Sequence, residues 1–328
     1  MTCLSNLTPR PLLRPRAEGG AWSSGLFKAL ALGLAALTCS GCLAFHRGAV
    51  TEEKSHLGEY MELPDARVRY TDNSIGISSL PPVVMIHGFG ASLETWLGVA
   101  PLIGKTRRVI TLDLKGFGGT DRPDGDYSPP AQAKMVLALL EKLGVKDKFA
   151  IVAHSWGSSV ALQIALLVPE RVTRIALYDA WVYEDQLPTM FHWARAPVIG
   201  EILFGLYYDQ MQEYKLAAAF YDKKYVTQQM VDDVERVLEF PGTNAAALAT
   251  VRGMRYTEVE KEYGKIKQPV LLMYGREDIA TPVRFGERLA QQLPNCHLEI
   301  LPRCGHLPMV EAYAATTAMV LKFLGEDR

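Results

Sequence analysis

Three residues of the types that nucleophilic hydrolysis requires stand just beyond apolar runs of this chain. They are Ser155 in Ala153-His-Ser-Trp-Gly157, Asp278 in Tyr274-Gly-Arg-Glu-Asp278, and His306 in Arg303-Cys-Gly-His306. A serine hydroxyl is a poor nucleophile at neutral pH until an imidazole removes its proton. The imidazole in turn needs a carboxylate to fix its tautomer and stabilise its charged form. Each residue alone has a plainer role: Ser155 as a helix cap, Asp278 as a loop carboxylate before the helix that follows Pro282, His306 as a loop histidine. Glu277 is a rival acid beside Asp278. Taken together, in the order serine, acid, histidine and each after a strand-like run, they predict a nucleophile, Ser155, a base, His306, and an orienting acid, Asp278.

A fourth piece is His87-Gly-Phe-Gly90, which also follows an apolar run. A glycine-flanked turn there would aim the backbone N–H of Phe89 at the same point as that of Trp156. Such an oxyanion hole is worth roughly 3 to 4 kcal/mol per donor. His87, Gly88 and His154 border this point and are expected to line the substrate site, the two histidines shaping turns rather than acting as bases. No metal-ligand cluster is visible, and the chemistry requires neither metal nor cofactor.

To act together these residues need a common frame. Short apolar, β-branched runs at Pro82 to Ile86, Arg108 to Leu114, Phe149 to Ala153, Val172 to Tyr178, Val270 to Tyr274 and His297 to Leu301 suit strands buried on both faces. Helical patterns alternate with them at Ala131 to Leu143, Trp156 to Leu167, Val283 to Leu293 and Pro308 to Leu324, several starting at prolines, where a helix loses no hydrogen bond. The rhythm predicts an α/β fold with a mostly parallel, doubly wound sheet. Ser155 then falls at a sharp strand-to-helix turn, where small neighbours are needed; Ala153 and Gly157 supply them. Residues 181–265 contain no convincing buried strand, so the core is expected at 59–180 and 266–328 with a helical cap between. Phe191, Trp193, Phe204, Tyr207, Tyr208, Phe220 and Tyr221 are available to line an apolar acyl pocket in that cap.

The chain has 328 residues, 48% hydrophobic and 22% charged, with a net charge of -1. It can bury a large core, and it carries no electrostatic footprint for a nucleic acid. The start differs from the rest: Arg10, Arg14, Arg16 and Lys28 precede an apolar, small-residue run from Ala29 to Thr38, and Ser40-Gly41-Cys42 follows. A charged start before an apolar stretch is the order of a secretory signal. Small residues before a cysteine resemble the bacterial lipoprotein signal, so residues 1–42 are expected to be a signal peptide with Cys42 as the lipidated residue, and 43–58 a linker. An uncleaved N-terminal anchor and an irrelevant leader are the alternatives. The first two readings place the domain in the cell envelope, facing outside the cytoplasm and partnered with a membrane. Cys296 and Cys304 sit at opposite ends of an extended segment, so no disulfide is expected between them.

His87-Gly-Phe-Gly90, Asp113-Leu-Lys-Gly-Phe-Gly-Gly-Thr120, His154-Ser-Trp-Gly157, Gly275-Arg-Glu-Asp278 and Gly305-His-Leu-Pro308 resemble the motif set of the α/β-hydrolase superfamily, from about residue 58 to the end. Ala153 to Arg171 is also similar to haloalkane dehalogenases and epoxide hydrolases, in which an aspartate stands where Ser155 stands here. Serine cannot replace that carboxylate, which disfavours dehalogenation and epoxide opening. Ser-Trp-Gly-Ser resembles proline iminopeptidases, whose longer Gly-Gly-Pro-Gly turn is absent. The resemblance implies a serine esterase acting on a small-molecule ester. Carbon–carbon bond hydrolases, haloperoxidase-like perhydrolases and aminopeptidases share the same trio, and a lipid-tethered ligand-binding protein is the non-enzyme alternative.

Overall fold

The computed structural model describes residues 57–73 and 79–325, except 209 and 211. The expected leader with Cys42, most of the linker, Cys3, Cys39, His46 and His56 lie outside the described residues. Among those described, no helix is long and apolar enough to cross a membrane, and Cys296 and Cys304 are free.

Eight strands form one sheet in the order β1-β2-β4-β3-β5-β6-β7-β8. Six of them coincide with the apolar runs: β3 (Val83–Ile86), β4 (Val109–Leu112), β5 (Phe149–His154), β6 (Val172–Tyr178), β7 (Val270–Gly275) and β8 (Cys296–Leu301). These pair in parallel from β4 through β8. β3, β4, β5 and β7 are buried at every residue, which is why they read as continuous apolar runs. Their side chains divide between two cores: Val84 and Ile86 pack on one face of the sheet, Val83 and Met85 on the other. Each such fully buried aliphatic side chain contributes about 1.5 to 3 kcal/mol.

β1 (Glu59–Glu62) and β2 (Arg67–Asp72) add an antiparallel edge that the sequence pattern missed. The reason is Arg69. Standing between Val68 and Tyr70 it interrupts a continuous apolar run, yet it is buried, because its guanidinium pairs with Asp113 at 3.0 Å and with Glu94.

Helices α1 (Pro129–Lys142), α2 (Gly157–Leu167), α3 (Thr189–Ala194), α4 (Ile199–Tyr207), α5 (Gln212–Ala219), α6 (Gln228–Leu238), α7 (Thr243–Gly253), α8 (Val283–Gln292), α9 (Pro308–Glu311) and α10 (Tyr313–Leu324) accompany the sheet. The last two replace the single helix expected from Pro308 to Leu324; the chain leaves helical geometry at Ala312 (φ -113°, ψ 35°). Between β6 and β7 the regular elements are helical, α3 to α7 and short 3-10 turns. This insertion is no independent unit, since Leu43–Arg328 cluster as one.

The strand order reverses at β3, whose neighbours are β4 on one side and β5 on the other. In open α/β sheets such a switch point leaves a crevice beyond the carboxyl ends of the strands. His87 to Gly90 leave β3 at that place and Ser155 leaves β5.

Candidate active site

Ser155 occupies the one-residue corner between β5 and the helical turn leading into α2, with φ at +50°. A non-glycine residue in this left-handed region is strained, and strain of this kind persists only where the surroundings over-determine it. They do so here: the Ser155 N–H donates to the Tyr178 carbonyl (2.8 Å), and its carbonyl accepts from Ser158 (2.9 Å) and Trp181 (3.1 Å). Glycine at 157 is a packing requirement. A Cβ there would lie 2.3 Å from the His87 carbonyl oxygen, so α2 could not seat against β3. Gly88 has the same function from the other side, where a Cβ would approach Ser155 Cβ to 2.9 Å.

The structure brings Ser155, His306 and Asp278 together from three separate strand ends. Ser155 Oγ lies 2.9 Å from His306 Nε2, and His306 Nδ1 lies 2.7 Å from Asp278 Oδ2. One tautomer satisfies both contacts: Nδ1–H donates to the carboxylate, and Nε2 accepts from the serine hydroxyl. Asp278 also accepts from the Ala280 N–H (2.7 Å) and the Thr281 hydroxyl. Burial pushes the Asp278 carboxyl up, but the His306 imidazole and the hydrogen bonds from His306 and Thr281 outweigh it and hold it at about 2. The acid is therefore ionised throughout the neutral range. Glu277, the rival acid, is occupied elsewhere and accepts from the Cys304 N–H at 2.9 Å.

Phe89 and Trp156 flank the serine, and among the described residues neither backbone N–H donates to a protein acceptor. Two uncommitted donors beside a strained nucleophile can receive a developing oxyanion. The Phe89 ring meets Phe117, Trp156, Phe191 and Tyr208 at centroid distances of 5.4, 6.4, 5.6 and 6.0 Å, an apolar aromatic wall shared by sheet loops and insertion.

Two sequence expectations need correcting. His87 and His154 do not face a substrate. His87 is fully buried; its Nδ1–H donates to the Gly88 carbonyl (2.7 Å) and its Nε2 accepts from the Leu114 N–H (2.9 Å). His154 lies behind the serine and donates from Nε2 to the His306 carbonyl (2.8 Å). Burial lowers the two imidazoles to about 4 and about 3, so both stay neutral and act as braces. Gly88 serves through close backbone approach. The seven aromatics of the insertion also divide: Phe191, Phe204 and Phe220 are buried and Tyr208 packs on the core, whereas Trp193, Tyr207 and Tyr221 are exposed.

Two residues of the site escaped sequence reasoning. Asp179, directly after β6, is fully buried at φ +44°, and its Oδ1 accepts from the Gly275 N–H (2.9 Å) while its carbonyl accepts from Thr281. Burial and the neighbouring Asp278 push its carboxyl well above its ordinary range. Asp179, Asp278 and His306 each offer an atom within 4.8 Å of the others. Asp278 and His306 spend theirs on their mutual hydrogen bond. Only the position of Asp179 one residue past a buried strand could have signalled it.

Glu311 is the second. Its carboxylate accepts from Gly305 (2.7 Å) beside the histidine, and from Tyr221 (3.2 Å) and Asp222 (2.8 Å) in the insertion. The His306 N–H itself donates to the Ala219 carbonyl at 2.6 Å. The insertion and the histidine loop are thus held backbone to backbone, and a Cβ at Gly305 would lie 2.4 Å from Ala219 O.

The sheet order, the serine corner and the strand-end trio agree with the profile of the α/β hydrolase fold, which matches residues 81–313. The chain belongs to the α/β-hydrolase fold family. It is 25% identical over 270 residues to the 2-hydroxy-6-oxo-2,4-heptadienoate hydrolase of Pseudomonas putida, covering 75% of this chain and 90% of that one. It is 26% identical over 252 residues to the pimeloyl-[acyl-carrier protein] methyl ester esterase of Nitrosomonas europaea, covering 70% and 90%. Among solved structures, a thermophilic esterase from Thermogutta terrifontis superposes with a TM-score of 0.67 at 21% identity, over 85% of this chain and 97% of that one. As an α/β hydrolase with a serine corner, this chain is similar both to a heptadienoate hydrolase and to esterases.

Proposed function

We propose that this α/β hydrolase cleaves carboxylic esters of small molecules with apolar acyl or alkyl groups, through an acyl-enzyme on Ser155. The observation that carries the reading is the continuous relay from Ser155 Oγ through His306 to ionised Asp278, beside the two free N–H donors of Phe89 and Trp156. His306 takes the serine proton as Oγ attacks the carbonyl carbon, and the developing oxyanion enters between the two donors. The imidazolium, steadied by Asp278, then protonates the leaving alcohol. Water, deprotonated by the same imidazole, cleaves the acyl-enzyme. The steps need no metal or cofactor. Phe89, Phe191 and Tyr208 form an apolar aromatic cluster beside the two donors, which favours an apolar acyl chain.

A second reading, hydrolysis of a carbon–carbon bond next to a carbonyl, has support in the likeness to the heptadienoate hydrolase. The two separate on substrate. Full-length protein offered p-nitrophenyl esters from acetate to palmitate is expected to hydrolyse them with an optimum at intermediate chain length, and Ser155→Ala to lose activity by about 10^6-fold. Turnover of a vinylogous 1,5-diketone with all esters refused would replace the ester reading by the second.

A further inference from the structure

The helical insertion has two sides, and the outer one is not what a water-facing surface requires. Of the thirteen large apolar side chains exposed among the described residues, eight lie between Met190 and Tyr221. The pattern is sharpest in α4, Ile199–Tyr207. Gly200, Phe204 and Gly205 form its buried face, and Phe204 packs against Phe191 of α3 at 6.1 Å. The opposite stripe, at the i, i+3, i+4, i+7, i+8 spacing of a helix face, should be polar. Instead it reads Ile199, Ile202, Leu203, Leu206 and Tyr207, of which Ile199, Leu206 and Tyr207 are 47%, 42% and 59% exposed, Ile202 is half-buried and Leu203 leans on the core. α3 repeats the arrangement: Phe191 and Ala194 turn inward, while Met190 and Trp193 point outward, Trp193 60% exposed.

Charge is also missing from this face. From 189 to 208 the charged side chains are Arg195 and Glu201, and each is already paired within the protein, Arg195 with Glu184 and Glu201 with Arg252 at 2.8 Å. Covering the face therefore strands no isolated charge, the costly event in desolvation.

We propose that the outer face of α3 and α4 docks on a lipid bilayer, which seats the catalytic pocket against the membrane. Two features choose a bilayer as the occupant. Trp193 and Tyr207 are amphipathic aromatics, suited to the headgroup boundary. The second is the chain itself: the basic residues and apolar run ahead of Cys42 have the composition of a membrane-seeking segment, and only the fourteen residues 43–56 separate it from Leu57. Fully extended, they span at most about 50 Å. A membrane-held N-terminus would thus make docking intramolecular, at high effective concentration. The inner side of the same helices carries Phe191, Phe204 and Tyr208, which meet or adjoin Phe89, so one helix thickness of about 10 Å would separate bilayer from pocket wall. The docking is independent of which bond the enzyme cleaves.

The test uses the full-length chain carrying Trp22→Phe, in vesicles of phosphatidylethanolamine and phosphatidylglycerol, with and without brominated acyl chains. Trp96 and Trp156 are inaccessible and Trp181 is 7% exposed, so Trp193 reports contact with the lipid. Its emission should fall in brominated vesicles, and the fall should vanish in Trp193→Phe. In Leu206→Ser/Tyr207→Ser the docked-to-undocked ratio should drop by on the order of tenfold per side chain, with an unchanged melting temperature confirming the fold. Equal emission in the two vesicles overturns the proposal. Trp193 shielded from both bromine and aqueous acrylamide would mean that a second copy covers the face, and overturns it equally.

Discussion

The carboxyl edge of the sheet and the outer side of the helical insertion follow opposite rules. At the sheet edge every position is tight: Ser155 is strained at φ +50°, Gly157 and Gly88 admit no Cβ, and Asp278 receives three hydrogen bonds. Across the insertion, α4 exposes Ile199, Leu206 and Tyr207 and α5 buries no residue at all. The difference separates two tasks. Reaction geometry tolerates errors of tenths of an ångström, so it belongs on strand ends fixed by the sheet. Contact with a substrate tail or a surface depends on area and character, which helices can vary without disturbing the chemistry.

Substitutions can break that comparison in order of size. Asp278→Asn keeps the shape but offers His306 a group unable to stabilise the imidazolium; the turnover number should fall about 10^4-fold at pH 7. The same variant carries a signature in stability. Because the folded-state carboxyl is depressed to about 2 from 3.8, Asp278 stabilises the fold above pH 3.8 and that contribution is lost as the pH falls toward 2. Thermal melts of Asp278→Asn should lack this share of the acid-side decline. A decline identical to that of the parent would contradict the hydrogen-bonded carboxylate.

Gly157→Ala drives a methyl toward the His87 carbonyl, and about 3 kcal/mol of stability should disappear, read from urea midpoints. If it is tolerated, the sheet edge is looser than its backbone contacts indicate. Glu311→Gln keeps one acceptor of two and should cost roughly tenfold in turnover with little change in the urea midpoint, since it loosens the histidine loop from the insertion rather than the core. On the outer side the expectation reverses: Leu206→Ser, at a position 42% exposed, should alter stability by less than about 0.5 kcal/mol. A larger loss would mean that the outer face is packed after all.

The site was legible in the sequence where local pattern and chemistry coincide. Ser155 and Asp278 follow strands buried throughout and His306 follows the half-buried edge strand β8, and the order of these strands carries the fold. What stayed hidden depends on partners distant in sequence. β2 was obscured because Arg69 reads as exposed until Asp113 and Glu94 are brought beside it. α7 was missed for want of an apolar stripe in Thr243–Gly253, where small residues are buried by their neighbours. His154 looked like a substrate contact since it adjoins the serine in sequence, but neighbours along a strand end point to opposite sides. The Glu311 carboxylate joins segments about ninety residues apart by accepting from backbone N–H groups, and such partners leave no mark in a sequence.

That last junction also couples two regions of the molecule. Ala219 and the Tyr221 and Asp222 amides belong to the insertion, whereas Gly305 and His306 belong to the reaction. Lifting the insertion by this edge would strip His306 of the acceptor for its backbone N–H in the same motion that admits a substrate or releases a product. The insertion and the loop that carries His306 are therefore bound to shift together, not one without the other.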